Sequence, residues 1–212
     1  MNKTAIKKFA VESRQKLIKS VIECLEELGI TDKEVVELVE LGGVYTIKTQ
    51  TLTESQKKNR DTIIQKIQEK GYEPFVEEIA YTWFNRIIAI RYMEVNDYLP
   101  FRTRVLSSDV PGKVDPDIIT EIADHIEELE LNRDKVIELK EHNRQEELFK
   151  YVFIKVCNYF GQVLPVMFEQ IEDYTELLLP SVMISNGSVI KDMIELVPEE
   201  DWTNQVEIIG WL

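Results

Sequence analysis

The segment YEPFVEEIAYTWFNRIIAIRYMEVNDYLP (72–100) constrains the fold more than any other part of the chain. Wound at 3.6 residues per turn, Phe75, Ile79, Trp83, Phe84, Ile87, Ile88, Ile90 and Met93 leave almost no polar side. A helix that is apolar nearly all round has to be surrounded by other elements, so 74–96 is expected at the buried centre. Pro74 suits a first helical turn and Pro100 helps close the segment. Arg86, Arg91 and Glu94 interrupt its apolar run. Arg91 and Glu94 are three residues apart and can meet on one face, while Arg86 stands a turn earlier. An unpaired charge in a core is costly. Trp83, Phe84, Arg86, Arg91 and Glu94 therefore read either as core, with the charges paired there, or as a surface docking onto another part of a larger protein.

The elements around this helix are also read as helical. Residues 3–28 form an amphipathic helix through Ile6, Phe9, Ala10, Leu17, Val21, Cys24, Leu25 and Leu28, stopped by Gly29. Thr31-Asp32 is read as opening a short helix to about Leu41. Gly42-Gly43 reads as a turn and VYTIKT (44–49) as a short strand. Thr53 with Gln56 makes a capping box for a helix ending at Lys70–Gly71. After a loop over 101–117, Asp115-Pro116 is read as the cap and first turn of a helix reaching Leu129. Two more helices follow, over about 132–140 and 143–160. Pro165, Pro180, Gly187 and Pro198 break 161–212 into short helices. The expected class is mainly α, a multi-helix bundle-like domain over 1–212 with at most a short strand or hairpin near 44–49. A sub-boundary is expected near 101–115. The ending VEIIGWL stops inside an apolar run, from which a longer parent chain is expected.

Charge narrows the partners. The net charge is −14, but residues 1–60 hold 11 basic and 9 acidic side chains, whereas 151–212 hold 2 and 10. The acidic end repels a phosphate backbone. Lys3, Lys7, Lys8, Arg14, Lys16 and Lys19 form the dense cationic face, with Arg102 and Arg104 as a second, smaller group. That face is either simply solvated or contacts DNA phosphate or a protein partner. No secretory h-region and no apolar run of about 20 residues is present. A cytoplasmic, membrane-free location is expected, with Cys24 and Cys157 as buried thiols.

Little chemistry is available. His125 and His142 lie 17 residues apart without zinc-ligand spacing and are expected on the surface at helix ends. EELE (127–130) and PEED (198–201) read as solvated acids rather than metal ligands. No G-x-S-x-G is present. Asp61 with Ile67-Gln68-Glu69-Lys70 does not complete a nuclease pattern. Adenine methylation requires a glycine-rich turn for S-adenosylmethionine and an N-P-P-[YF] segment for the flipped base. The chain has no adjacent prolines and no such glycine-rich turn. Catalytic, cofactor and metal residues are accordingly expected to be absent from this stretch.

The run EEIAYTWFNRIIAIRYMEVNDYLPFRTRVLSS resembles the amino-terminal region of the PglX family, the adenine-specific DNA methyltransferases of type 1 bacteriophage-exclusion (BREX) systems. MNKTAIKKFAVESRQKLI, LLLPSVM with its downstream DW, and IIGWL resemble the same family. The resemblance implies a parent enzyme that methylates adenine N6 with S-adenosylmethionine, and a matched region covering about its first fifth. It implies as partners the rest of the methyltransferase, DNA through that parent, and other BREX proteins. It supplies no catalytic residue here, since the family's motifs would lie beyond Leu212.

Overall fold

In a computed structural model the described residues are 3–48, 50–163, 168 and 173–203. They form α1 (Lys3–Glu27), β1 (Val39–Leu41), β2 (Val44–Ile47), β3 (Gln50–Leu52), α2 (Glu54–Lys70) and α3 (Tyr72–Val95). The later elements are α4 (Asp117–Thr120), α5 (Arg133–Glu141), α6 (Gln145–Val163), α7 (Asp173–Glu176) and α8 (Val189–Leu196). Two 3₁₀ turns lie at Ile122–His125 and Glu199–Asp201. The fold is mainly α with one small antiparallel sheet in the order β1-β2-β3. Among the described residues, no helix is long and apolar enough to cross a membrane. VEIIGWL, IIGWL, Pro165 and residue 49 lie outside them.

The chain divides into two compact units, one of 1–14, 84–171 and 181–212, the other of 15–83 and 172–180. The segment 101–115 belongs to the first.

In the second unit α1 ends as its sequence dictates. Gly29 takes φ 67°, its N–H donates to Glu26 O at 3.0 Å and that of Ile30 to Leu25 O at 2.8 Å, the two bonds of a Schellman stop. A Cβ on Gly29 would fall 2.2 Å from Ile47 Cδ1, so any side chain there would force the buried Ile47 side chain to move. Downstream the expected helix over 31–41 is absent. The Thr31 hydroxyl accepts from the N–H groups of Lys33 and Glu34, a local turn that competes with a helical start. The β-branched residues after it lead into β1 instead. Gly42 and Gly43, at φ 61° and 81°, then make the two-residue turn that suits a tight hairpin. Thr53 and Gln56 form the reciprocal capping box of α2. Leu17, Val21, Leu25, Ile47, Leu52, Ile63, Phe75, Ile79 and Trp83 build this core.

In the first unit Phe84, Ile87, Ile88, Ala89 and Ile90 are all buried. Four consecutive buried residues cannot share one stripe, so this half of α3 is enclosed as its composition demands. Phe9 meets Phe84 at 6.3 Å, and Phe160 meets Phe101 and Phe168. Asn132 caps α5, which packs on α6. The expected helix over 116–129 is a correction: it breaks into α4 and a 3₁₀ turn. Asp115 is not its cap. Pro116 occupies that position with no side-chain bond, and Glu130 ends the stretch at φ 50°. His125 is likewise buried rather than on the surface. Its Nε2 lies 2.9 Å from the Thr103 hydroxyl, and its ring packs on Phe101. His142 is exposed at the end of α5.

Candidate functional site

A dense polar arrangement grows from the last turn of α3. Arg91 and Glu94, three apart on the helix, are 1% and 0% exposed and meet at 2.6 Å. A carboxylate so enclosed needs all its lone pairs answered. Glu94 Oε1 also accepts from the Ser107 hydroxyl at 3.0 Å. Its Oε2 accepts from the N–H groups of Val105 and Leu106 at 2.9 and 2.8 Å. Arg91 donates from Nη1 to Ser107 Oγ at 2.8 Å and from Nη2 to Glu199 Oε1 at 3.1 Å. Arg104 grips the same Glu199 with both Nη atoms. Burial pushes the Glu199 carboxyl up, but the Arg104 bond and the two guanidinium charges outweigh it and hold it below the usual range.

A second buried carboxylate orders the same loop. Asp117 accepts from Asp109 N at 2.9 Å and Lys113 Nζ at 2.6 Å. Burial raises its carboxyl, and the bonds from Lys113, Ser108 and the Asp109 N–H more than offset this. Together Glu94 and Asp117 fix residues 101–117 without any regular element there. The bonds from the Val105, Leu106 and Asp109 N–H groups to these carboxylates hold the loop's backbone.

The sequence-derived residues divide accordingly. Trp83, Phe84, Arg86, Arg91 and Glu94 are all buried. Arg86 lies near Cys157, whose thiol burial pushes up to about 12 despite that positive charge. Arg104 is turned to Glu199, while Arg102 is exposed at φ 53°. On α1, Lys7, Lys8, Arg14 and Lys19 are exposed and Lys16 is partly so. Lys8 reaches Glu12 at 3.8 Å and Lys19 reaches Glu23 at 3.6 Å, both loose. Lys3 opens the helix, and its side chain is outside the described residues.

Glu199, Arg60 and Glu146 are anchors that sequence reasoning missed. Glu199 sits in the acidic PEED run, 108 residues from Arg91. Arg60 is buried on α2 and donates to Leu28 O at 2.7 Å and Val36 O at 2.6 Å, holding the end of α1. Glu146 accepts from the N–H groups of Met183, Ile184 and Ser185. None has a local signal, because each partner is more than 20 residues away. Among the described residues no cluster of three His, Cys, Asp or Glu is placed to hold a metal.

No family model matches the chain. Two curated relatives do. The adenine-specific methyltransferase BrxX of Escherichia coli O9:H4 (strain HS) is 34% identical over 225 residues, which is 100% of this chain and 18% of the relative. The adenine-specific methyltransferase PglX of Lacticaseibacillus casei (strain Zhang) is 36% identical over 236 residues, 100% of this chain and 19% of the relative. The chain thus spans about a fifth of the length of these relatives, and over its whole length it is similar to adenine-specific methyltransferases of the BrxX and PglX kind.

Proposed function

We propose that the chain is a non-catalytic helical part of a site-specific DNA N6-adenine methyltransferase in a phage-defence system, where it scaffolds the catalytic part. The observation that carries this reading is a whole-chain likeness at 34% and 36% identity to only 18% and 19% of two adenine-specific methyltransferases. The sequence contains neither of the elements expected to hold S-adenosylmethionine and the flipped adenine. Its one Gly-Gly, at 42–43, turns a hairpin instead of joining a strand to a helix, and no two prolines are adjacent. The methyl donor would be held elsewhere in the parent. Such an enzyme works in the cytoplasm, where its DNA is. Titrating S-adenosylmethionine into the chain by calorimetry should give no heat of binding, and the chain should not methylate DNA. Micromolar binding would overturn the non-catalytic assignment.

Any direct help with DNA would come from Lys7, Lys8, Arg14 and Lys19, which α1 leaves exposed, and would be weak and indifferent to sequence. A second reading, a module docking other defence-system proteins without touching DNA, is favoured by charge: residues 111–150 hold 12 acids against 6 bases. A gel shift and a pull-down run in parallel on the same chain separate the two.

A further inference from the structure

The small sheet carries an outer face of the wrong chemistry for water. Directly paired residues of an antiparallel sheet point to one side, and neighbours along a strand alternate. The register pairs Val39 with Thr46, Leu41 with Val44, Tyr45 with Leu52 and Ile47 with Gln50. Ile47 and Leu52 are buried, so the side they share with Tyr45 is the inner one. The other side holds Val39, Leu41, Val44, Thr46 and Thr51. A half-solvated antiparallel sheet is normally polar outside. Here Val39 is 58% exposed, Leu41 72% and Val44 43%, with no charge on that side. β1 is also an edge strand, and its three residues are all exposed. The two-residue turn makes Leu41 and Val44 the hydrogen-bonded pair, leaving the Glu40 N–H and C=O directed to the open edge. Natural edges are blunted by short strands, charges, proline or bulges; β1 is short and carries Glu40, so the apolar outer face is the more unusual feature.

We infer that the outer face of this sheet and the free edge of β1 are the surface by which the chain packs onto the catalytic part of the methyltransferase, an inference that rests on the scaffold reading above. Two other occupants fit poorly. A second copy would bring together two like-charged chains, each of net charge −14. The strand residues of this face, Val39, Leu41, Val44, Thr46 and Thr51, offer a duplex phosphate backbone no cation. Size points the same way. Freely associating partners usually bury about 800 Å² each, far more than three aliphatic side chains supply. A partner in the same polypeptide needs less, because the tether holds it at roughly millimolar effective concentration. The relatives extend beyond the matched stretch by about four-fifths of their length, which makes such a partner available. Its matching surface should be an apolar patch or an exposed strand edge.

Hydrogen exchange read by mass spectrometry tests this on the full-length methyltransferase and on the 212-residue chain. Each is measured with native residues and with Val39→Thr, Leu41→Thr and Val44→Thr together, which keep strand-forming shapes. Amides of 39–46 should exchange about tenfold more slowly in the full-length protein, and the triple variant should abolish that difference. Protection of α2 reports whether the variant folds; if it does not, Leu41→Thr alone takes its place with the same expectation. Should 39–46 exchange alike in both proteins while other stretches of the chain slow, the docking surface is wrong and the scaffold reading stands. Should no stretch slow, both fall. Protection of 39–46 in the short chain that is lost on dilution would assign the face to a second copy and overturn the inference.

Discussion

Two sets of cations in this chain behave in opposite ways. Arg60, Arg86 and Arg91 are buried, and Arg104 is largely turned inward to Glu199. Lys7, Lys8 and Lys19 on α1 project outward. The difference follows from the side chains. A guanidinium is weakly hydrated and planar, and it presents paired donors that match two carbonyls or one carboxylate; an ammonium is a strongly hydrated point charge. Arg60 uses two donors to span carbonyls of residues 28 and 36. Lys8 and Lys19, 73% and 79% exposed, reach their glutamates only at 3.8 and 3.6 Å, where a pair adds little. Arg60, Arg91 and Arg104 therefore specify structure, whereas Lys8 and Lys19 stay largely in solvent.

Removing the acceptor at the centre of the arginine set should have the largest effect. Glu94→Ala leaves Arg91 charged and enclosed and should cost roughly 3–5 kcal/mol; a denaturation midpoint that does not move would show the network is not what orders residues 101–107. Arg60→Lys keeps the charge but loses the fork, and a loss of about 2 kcal/mol in urea unfolding is expected. Equal stability of the lysine variant would break the distinction drawn between the two cations. Glu199→Gln should cost about 1 kcal/mol near neutrality, since its side chain is 47% exposed and screened. Its carboxyl is held below the usual range in the fold, so its contribution is present above the ordinary glutamate range and disappears as pH falls through the folded value. Native and variant proteins should thus converge as pH drops below roughly 4, and a gap that persists in stronger acid would count against the ion pair. Last, replacing Lys7, Lys8 and Lys19 with Ala should change stability by less than about 0.5 kcal/mol. If α1 touches DNA, the same variant should flatten the log-affinity against log-salt slope by about 0.9 for each phosphate it no longer neutralises. A larger stability loss would mean the lysines are structural after all.

What could be read from sequence was local or periodic. Thr53 and Gln56 announce α2 because both bonds of the capping box lie within four residues. Trp83 and Ile87–Ile90 announce a buried helix because enclosure needs only composition. Residues 31–41 mislead because Thr31 can start either a helix or a tight turn, and the sheet decides through Ile47, packed where Gly29 has no Cβ. The stretch after Pro116 misleads for a similar reason: its cap is not made by Asp115, and Asp117 serves Asp109 and Lys113 instead. The Arg91–Glu94 pair was within reach of sequence, being three residues apart. Glu199 was not, because an acid in PEED looks solvated until its arginines are brought to it across about half the chain.

The two cysteines give each unit its own clock. Cys24 lies in the second unit, 8% exposed with its Sγ 3.6 Å from Leu179 O. Cys157 lies in the first, 1% exposed, its thiol held protonated at any ordinary pH. Alkylating reagents attack thiolates, so each sulfur reacts only when its surroundings open. Peptide-resolved labelling rates of the native chain therefore time the opening of the two units separately, with no engineered probe. Whether the chain unfolds as one body or in two steps can be read from whether those two rates agree.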